Sequence, residues 1–71
     1  MTQEADKLFE EMGYKKAYTL DYLLYKKRYT NIQFFLNRKS FIKNGLFDGD
    51  YEINMGELKA IYIKCKEMGW V

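Results

Sequence analysis

Residues 18–25 read YTLDYLLY, and whether they form a strand or a helix decides the fold of this 71-residue chain. Tyr18, Leu20, Tyr22 and Leu24 alternate, as in a strand with one buried face, and the aromatic content favours that reading. Leu20, Leu23 and Leu24 also lie at helical spacing, so a helix is the competing reading. Immediately downstream the texture stays strand-like. NIQFFL at 31–36 places Ile32, Phe34 and Leu36 on one side and Gln33 and Phe35 on the other. Thr30 and Asn31 suit the turn before it, and Asn37, Arg38 and Lys39 suit a three-residue turn after it. Ser40 to Lys43 then reads as a third strand. Asn44-Gly45 signals a tight hairpin turn and Asp48-Gly49 another. They stand too close for two hairpins, which leaves room for at most one short extra strand at Leu46-Phe47 or Tyr51 to Ile53.

Outward from this middle the period changes to that of a helix. Thr2 is a candidate cap, with Gln3, Glu4 and Asp6 in the first turn and a stripe of Ala5, Leu8, Phe9 and Met12. At the other end Asn54 and Glu57 have the spacing of a capping box. Leu58, Ile61, Tyr62, Cys65 and Met68 make the second stripe, with Ile63 nearly opposite it. EMGY at 11–14 and EMGW at 67–70 repeat one short pattern. A helix that stops at a left-handed glycine, with the next apolar residue folded back onto its last turn, accounts for both copies. Phe9 with Tyr14 and Cys65 with Trp70 have the required spacing, so no internal duplication is needed.

The fold class expected is α+β, in the order α-β-β-β-α. An antiparallel three-stranded sheet, with room for a short fourth strand, carries both helices on one face. The buried face would take Leu20, Tyr22, Leu24, Ile32, Phe34, Leu36 and Ile42. Phe35, Phe41, Lys43 and Tyr25 would then lie on the outer face, and Phe35 and Phe41 would face each other across a three-residue turn. Such a pair is either ordinary cross-strand stabilisation or part of a contact patch.

Residues 1–71 are too few for more than one domain. Cys65 is the only cysteine and there is no histidine, so an intrachain disulfide and the commonest metal ligand and general base are missing. The lone cysteine fits a reducing cytoplasm, and no run is long enough for a membrane span or a signal peptide. Net charge is +2, but its distribution says more. Residues 15–43 hold eight Lys or Arg against the single acid Asp21, between two acidic ends. Cys65 falls on an apolar stripe and reads as a small core residue. Asp48, Asp50 and Glu52 fail the spacing of a calcium loop, since Ile53 and Lys59 stand where glycine and glutamate are needed. No catalytic, cofactor or metal site is therefore expected.

The stretches ADKLFEEMGY at 5–14, INMGELKAI at 53–61 and KEMGW at 66–70 resemble small proteins encoded by phages and prophages of Gram-positive bacteria. Gly56 departs from that pattern, because an acid would suit the helix start better. The resemblance covers the two ends and implies an accessory role, such as modulating a host or defence component. It transfers no site residues. The leading functional expectation is a non-enzymatic binding protein that touches a protein partner through Tyr25, Phe35, Phe41 and Ile63. The alternative is a nucleic-acid-binding module. It would use Lys26, Lys27, Arg28, Arg38, Lys39 and Lys43, with Lys15 and Lys16 nearby and the same aromatics between them.

Overall fold

A computed structural model describes residues 4–71, with Asp48 described by its backbone alone. The elements run α1 (Glu4–Glu11), β1 (Lys15–Tyr18), β2 (Tyr22–Lys27), β3 (Thr30–Phe35), β4 (Ser40–Gly45), a helical turn Asp48–Tyr51, and α2 (Met55–Glu67). The four strands form one antiparallel sheet in chain order, and both helices contribute to the core on one face of it. The α+β class and the two helices on one side agree with the sequence. The fourth strand is β1, upstream of the expected three, and not a piece of 46–53. The candidate cap Thr2 lies outside the described residues.

YTLDYLLY is a strand region, but it contains a corner. Tyr18 ends β1 and Tyr22 begins β2. The Thr19 hydroxyl accepts from the amides of Asp21 at 3.2 Å and Tyr22 at 3.3 Å, and the Thr19 amide donates to the Tyr22 carbonyl. A threonine that gathers backbone donors in this way makes a turn. Leu20 sits in it at 96 % exposure and is not part of the core. Beyond the corner Leu23 and Tyr25 point inward, while Tyr22 and Leu24 lie on the outer face. Both pairs are apolar, so alternation alone could not choose between them. The inner choice is made by Phe9, whose ring stacks on Tyr25 with centroids 4.0 Å apart.

The second correction has a one-residue cause. The turn between β3 and β4 spans four residues, Leu36 to Lys39, so Phe35 pairs with Ser40 and Phe34 with Phe41. A one-residue change of register moves every side chain of a strand to the other face. Phe41 therefore joins the inner face at the sheet edge, 39 % exposed, with its ring 5.8 Å from that of Phe34. Ile42 moves to the outer face, 44 % exposed. Lys43 moves inward. Asn44-Gly45 ends β4 instead of making a hairpin, and a Cβ on Gly45 would meet the Asp50 Cβ at 2.0 Å. Asp50 is held there because its carboxylate accepts from the Phe47 amide at 3.0 Å.

Both helix ends behave as the repeated EMG pattern implies. Gly13 has φ +93° and Gly69 has φ +76°. The Tyr14 amide donates to the Phe9 carbonyl at 2.9 Å and the Gly13 amide to that of Glu10 at 3.0 Å. Trp70 donates to Cys65 at 2.8 Å and Gly69 to Lys66 at 3.0 Å. These are two copies of the Schellman arrangement, and in the first the Phe9 and Tyr14 rings meet edge to face. Asn54 and Glu57 form the expected capping box at the start of α2. Gly56 also has a reason: a Cβ there would stand 3.3 Å from the Met12 Sδ, at the seam between the helices.

The core gathers Phe9, Tyr14, Leu23, Tyr25, Ile32, Phe34, Ala60, Ile61 and Cys65. Each large apolar side chain buried in this way stabilises the fold by about 1.5–3 kcal/mol. On α2 the buried set is Glu57, Ala60, Ile61, Lys64 and Cys65, which leaves Leu58 and Tyr62 exposed and Ile63 half-buried. The helix is turned from its apolar stripe because Glu57 and Lys64 have charged partners underneath it.

Candidate functional site

Two polar clusters, one buried and one partly buried, tie the helices to the sheet. In the first, the Glu57 carboxylate accepts from the Tyr14 hydroxyl at 2.6 Å, from Lys43 Nζ at 2.8 Å and from the Asn54 amide at 3.1 Å. Lys43 also donates to the Glu52 carbonyl. Burial pushes the Glu57 carboxyl up, but the bonds from Lys43, Tyr14 and the Asn54 backbone outweigh it and hold the group below its ordinary value. Burial, followed by the bond to Glu57, pushes the Tyr14 hydroxyl well above its ordinary value. The second cluster centres on Asp6, which accepts from the Tyr25 hydroxyl and from Lys16 at 2.8 Å and pairs with Lys64 at 3.4 Å. Burial raises the Asp6 carboxyl and these cations and hydroxyl lower it, with a net lowering. Lys64 also faces Glu67 at 3.5 Å, and Glu67 accepts from the Ala5 amide.

A cavity of about 300 Å³ beside the first cluster is lined by Tyr14, Lys27, Lys43, Asp50, Glu52 and Glu57, among others. Its Lys43 and Tyr14 both bond Glu57, and together they tie α2 to the sheet. Burial raises the Cys65 thiol, which keeps it in the unreactive form. Among the described residues no group of three or more His, Cys, Asp or Glu converges as a metal site would require, and no helix is long and apolar enough to cross a membrane.

Among the described residues no helix lies over the outer face of the sheet, and the strand register lays it out in rows. Lys15, Lys26, Asn31 and Asn44 form the first row, Ala17, Leu24, Gln33 and Ile42 the second, and Tyr22, Phe35 and Ser40 the third. None of these residues is acidic. The Arg38 guanidinium lies 4.3 Å from the Phe35 ring centre and extends the aromatic row. In the helix layer on the other face, α1 carries Glu4, Asp6, Glu10 and Glu11.

Of the residues expected to touch a protein, Phe35 alone lies on this face. Tyr25, at 1 % exposure, is core, Phe41 belongs to the inner face, and Ile63 is half-buried on α2. Of the cations expected to touch nucleic acid, Lys43 is spent on Glu57. Lys26, Lys27, Arg28, Arg38 and Lys39 are exposed. Lys26, Lys27 and Arg28 meet Lys15 and Gly13 around a concavity of about 320 Å³ at one end of the sheet, and Arg38 and Lys39 occupy the turn at the other end of β3. Sequence reasoning missed Tyr22, Leu24 and Ile42 as surface residues, because their place depends on the Thr19 corner and the four-residue turn. It also missed an apolar corner where Tyr29 and Phe47 meet edge to face beside Leu46, all three exposed. No family model, curated protein or solved structure matches the chain.

Proposed function

We propose that this chain is a non-enzymatic binding module for single-stranded nucleic acid, and that its working surface is the uncovered face of the sheet. The observation that carries the reading is the composition of that face: an aromatic pair, Tyr22 and Phe35, three amides, Lys15 and Lys26, Arg38 over Phe35, and no carboxylate. Bases stack on aromatic rings and guanidinium planes, and backbone phosphates take the cations at either end of the face. Stacking of this kind tolerates any base, so weak sequence preference is expected. A labelled single strand titrated at low and moderate salt tests it. Binding should weaken steeply with salt, because phosphate contacts release counterions. Lys26→Glu with Arg38→Glu should remove it, and Phe35→Ala should weaken it while the chain stays folded. No binding at low salt removes the reading.

A second reading keeps a protein as the partner. It is supported by the corner of Tyr29, Leu46 and Phe47, since a group of large apolar residues this exposed marks contact sites. Phe47→Ser should then abolish capture of a partner from the native host without changing nucleic-acid affinity. Either reading leaves room for the accessory phage role that the chain's ends imply.

A further inference from the structure

The end of the sheet where α1 stops holds more positive charge than its fold needs. Lys15 and Lys26 stand directly opposite each other on neighbouring strands, an arrangement that destabilises a sheet when the charges are alike. Lys27 follows, its stem along Gly13 and its ammonium 5.2 Å from the Tyr14 ring centre. Arg28 comes next. None of the four has a carboxylate within ion-pair distance among the described residues. Acids border the corner only from the two adjoining cavities: Asp6 and Glu10 line the one beside Lys15, and Asp50, Glu52 and Glu57 the one that Lys27 also lines, where Glu57 is already bonded to Lys43. Asp6 is already committed to Lys16 and Lys64. The C-terminal end of α1 contributes roughly half a negative charge, which offsets part of one cation.

Arg28 adds a second oddity. The β2–β3 hairpin has a two-residue turn, Arg28-Tyr29, and Arg28 sits at φ +35°. Tight hairpins favour glycine or asparagine where φ is positive, and side chains are uncommon there. A strained residue kept at an exposed site is a reason to look for function. Here the strain retains a guanidinium at the lip of a concavity of about 320 Å³ lined by Gly13, Lys15, Lys26, Lys27 and Arg28. Like charges gathered around an acid-free hollow are relieved by an anion, and a guanidinium forks onto phosphate oxygens in pairs of hydrogen bonds.

We propose that this corner is a phosphate-binding seat that anchors one phosphate of a bound strand before the strand crosses the sheet face. It rests on the nucleic-acid reading for the identity of the larger ligand, but not for the seat itself. From Lys26 the face runs four residues along β2 to Tyr22, about 13 Å at the usual strand rise. A strand anchored at the corner therefore has its bases over the middle and aromatic rows.

The test uses the full chain and two ligands, followed by backbone-amide NMR at constant ionic strength. Pyrophosphate alone should give saturable shifts at Gly13, Lys15 and Lys26 to Arg28, and small shifts elsewhere. Arg28→Gly suits the turn better than arginine does, so the variant should melt no lower than the parent yet bind pyrophosphate at least tenfold more weakly. Lys26→Gln should weaken it as well, while Lys59→Gln on α2 should not. Shifts spread over every lysine-bearing segment, or unchanged affinity in Arg28→Gly, would overturn the seat. A short single-stranded oligonucleotide then separates the two ideas. Pyrophosphate binding without oligonucleotide binding keeps the seat and removes the nucleic-acid reading. Oligonucleotide binding that leaves the corner amides unmoved keeps that reading and removes the seat.

Discussion

Phe34 and Phe35 are neighbours in sequence and opposites in structure. Phe34 is fully buried, touching Phe9, Tyr25, Phe41 and Trp70 through their rings. Phe35 is half-buried on the outer face, with Arg38 across its ring. The same contrast holds for lysines. Lys43 on the inner face is enclosed with Glu57, whereas Lys26 on the outer face has Lys15 opposite it. One face of the sheet is closed by two helices and neutralised by buried carboxylates. The other carries Tyr22, Leu24, Phe35 and Ile42, yet among the described residues nothing lies above it and its rows hold no acid. The difference teaches that hydrophobicity alone does not mark the core of this chain. The core is the face whose polar groups find partners: Tyr25 with Asp6, Tyr14 and Lys43 with Glu57.

The largest expected effect comes from the two phenylalanines. Phe34→Ala should cost about 3–5 kcal/mol, a large share of the total stability of a domain held by on the order of 0.05–0.15 kcal/mol per residue. Phe35→Ala should cost under about 1 kcal/mol, the scale of a cross-strand pair. Urea denaturation of both variants checks this, and equal losses would erase the distinction between the faces.

The lysines sharpen it. Lys43→Met strands a buried carboxylate and should cost about 3 kcal/mol or more, although Tyr14 and Asn54 still bond Glu57. Lys43→Met combined with Glu57→Leu should recover much of that loss, while Lys26→Met should change stability little. A double-mutant cycle by denaturation reads all three values.

Acid should act on the inner face. Glu57 and Asp6 both have native pKa values below the ordinary carboxylate range. Near pH 4 the folded chain therefore holds fewer protons at these groups than the unfolded chain, and stability rises with pH there. Their contribution is complete above the unfolded carboxylate values, about 4, and is lost as pH falls through the lowered native ones. Melting temperatures between pH 2 and pH 6 should show this loss. Glu57→Gln, though less stable at neutral pH, should lose less on acidification.

The smallest effects lie at the turns. Gly13→Ala and Gly69→Ala should each cost on the order of 1 kcal/mol through strain at positive φ. A Cβ meets nothing within 4 Å at Gly69 and only the flexible Lys27 stem, at 3.8 Å, at Gly13, so the two losses should be similar. Lys39 also has positive φ, at 52°. Lys39→Gly should shift stability by less than about 1 kcal/mol while removing a cation from the far end of the outer face. Thermal melts of these variants give the comparison.

The helices, the cap of α2, both glycine ends and the α+β class were legible because each depends on residues close in sequence: Asn54 with Glu57, and a glycine after each last turn. The two faces of the sheet were not, because each turned on a single local count. The Thr19 corner splits YTLDYLLY, and one extra turn residue before Ser40 reverses Phe41, Ile42 and Lys43. The rotation of α2 was hidden for another reason. Periodicity scores Glu57 and Lys64 as surface residues, and their burial depends on partners brought from elsewhere in the chain, Lys43 of β4 with Tyr14 and Asp6 of α1. Among the site residues, the basic runs were visible in the sequence. Their gathering with Lys15 around Gly13 required the β1–β2 pairing.

The most direct test of the outer face as the working surface is an amide NMR titration with a short single-stranded oligonucleotide at low salt. The expected shifts fall on Ala17, Tyr22, Leu24, Gln33, Phe35 and Ile42 and on the corner from Lys26 to Arg28, and they fade as salt is raised. Shifts confined to Tyr29, Leu46 and Phe47 or to α2, or no shifts at all, would contradict the account.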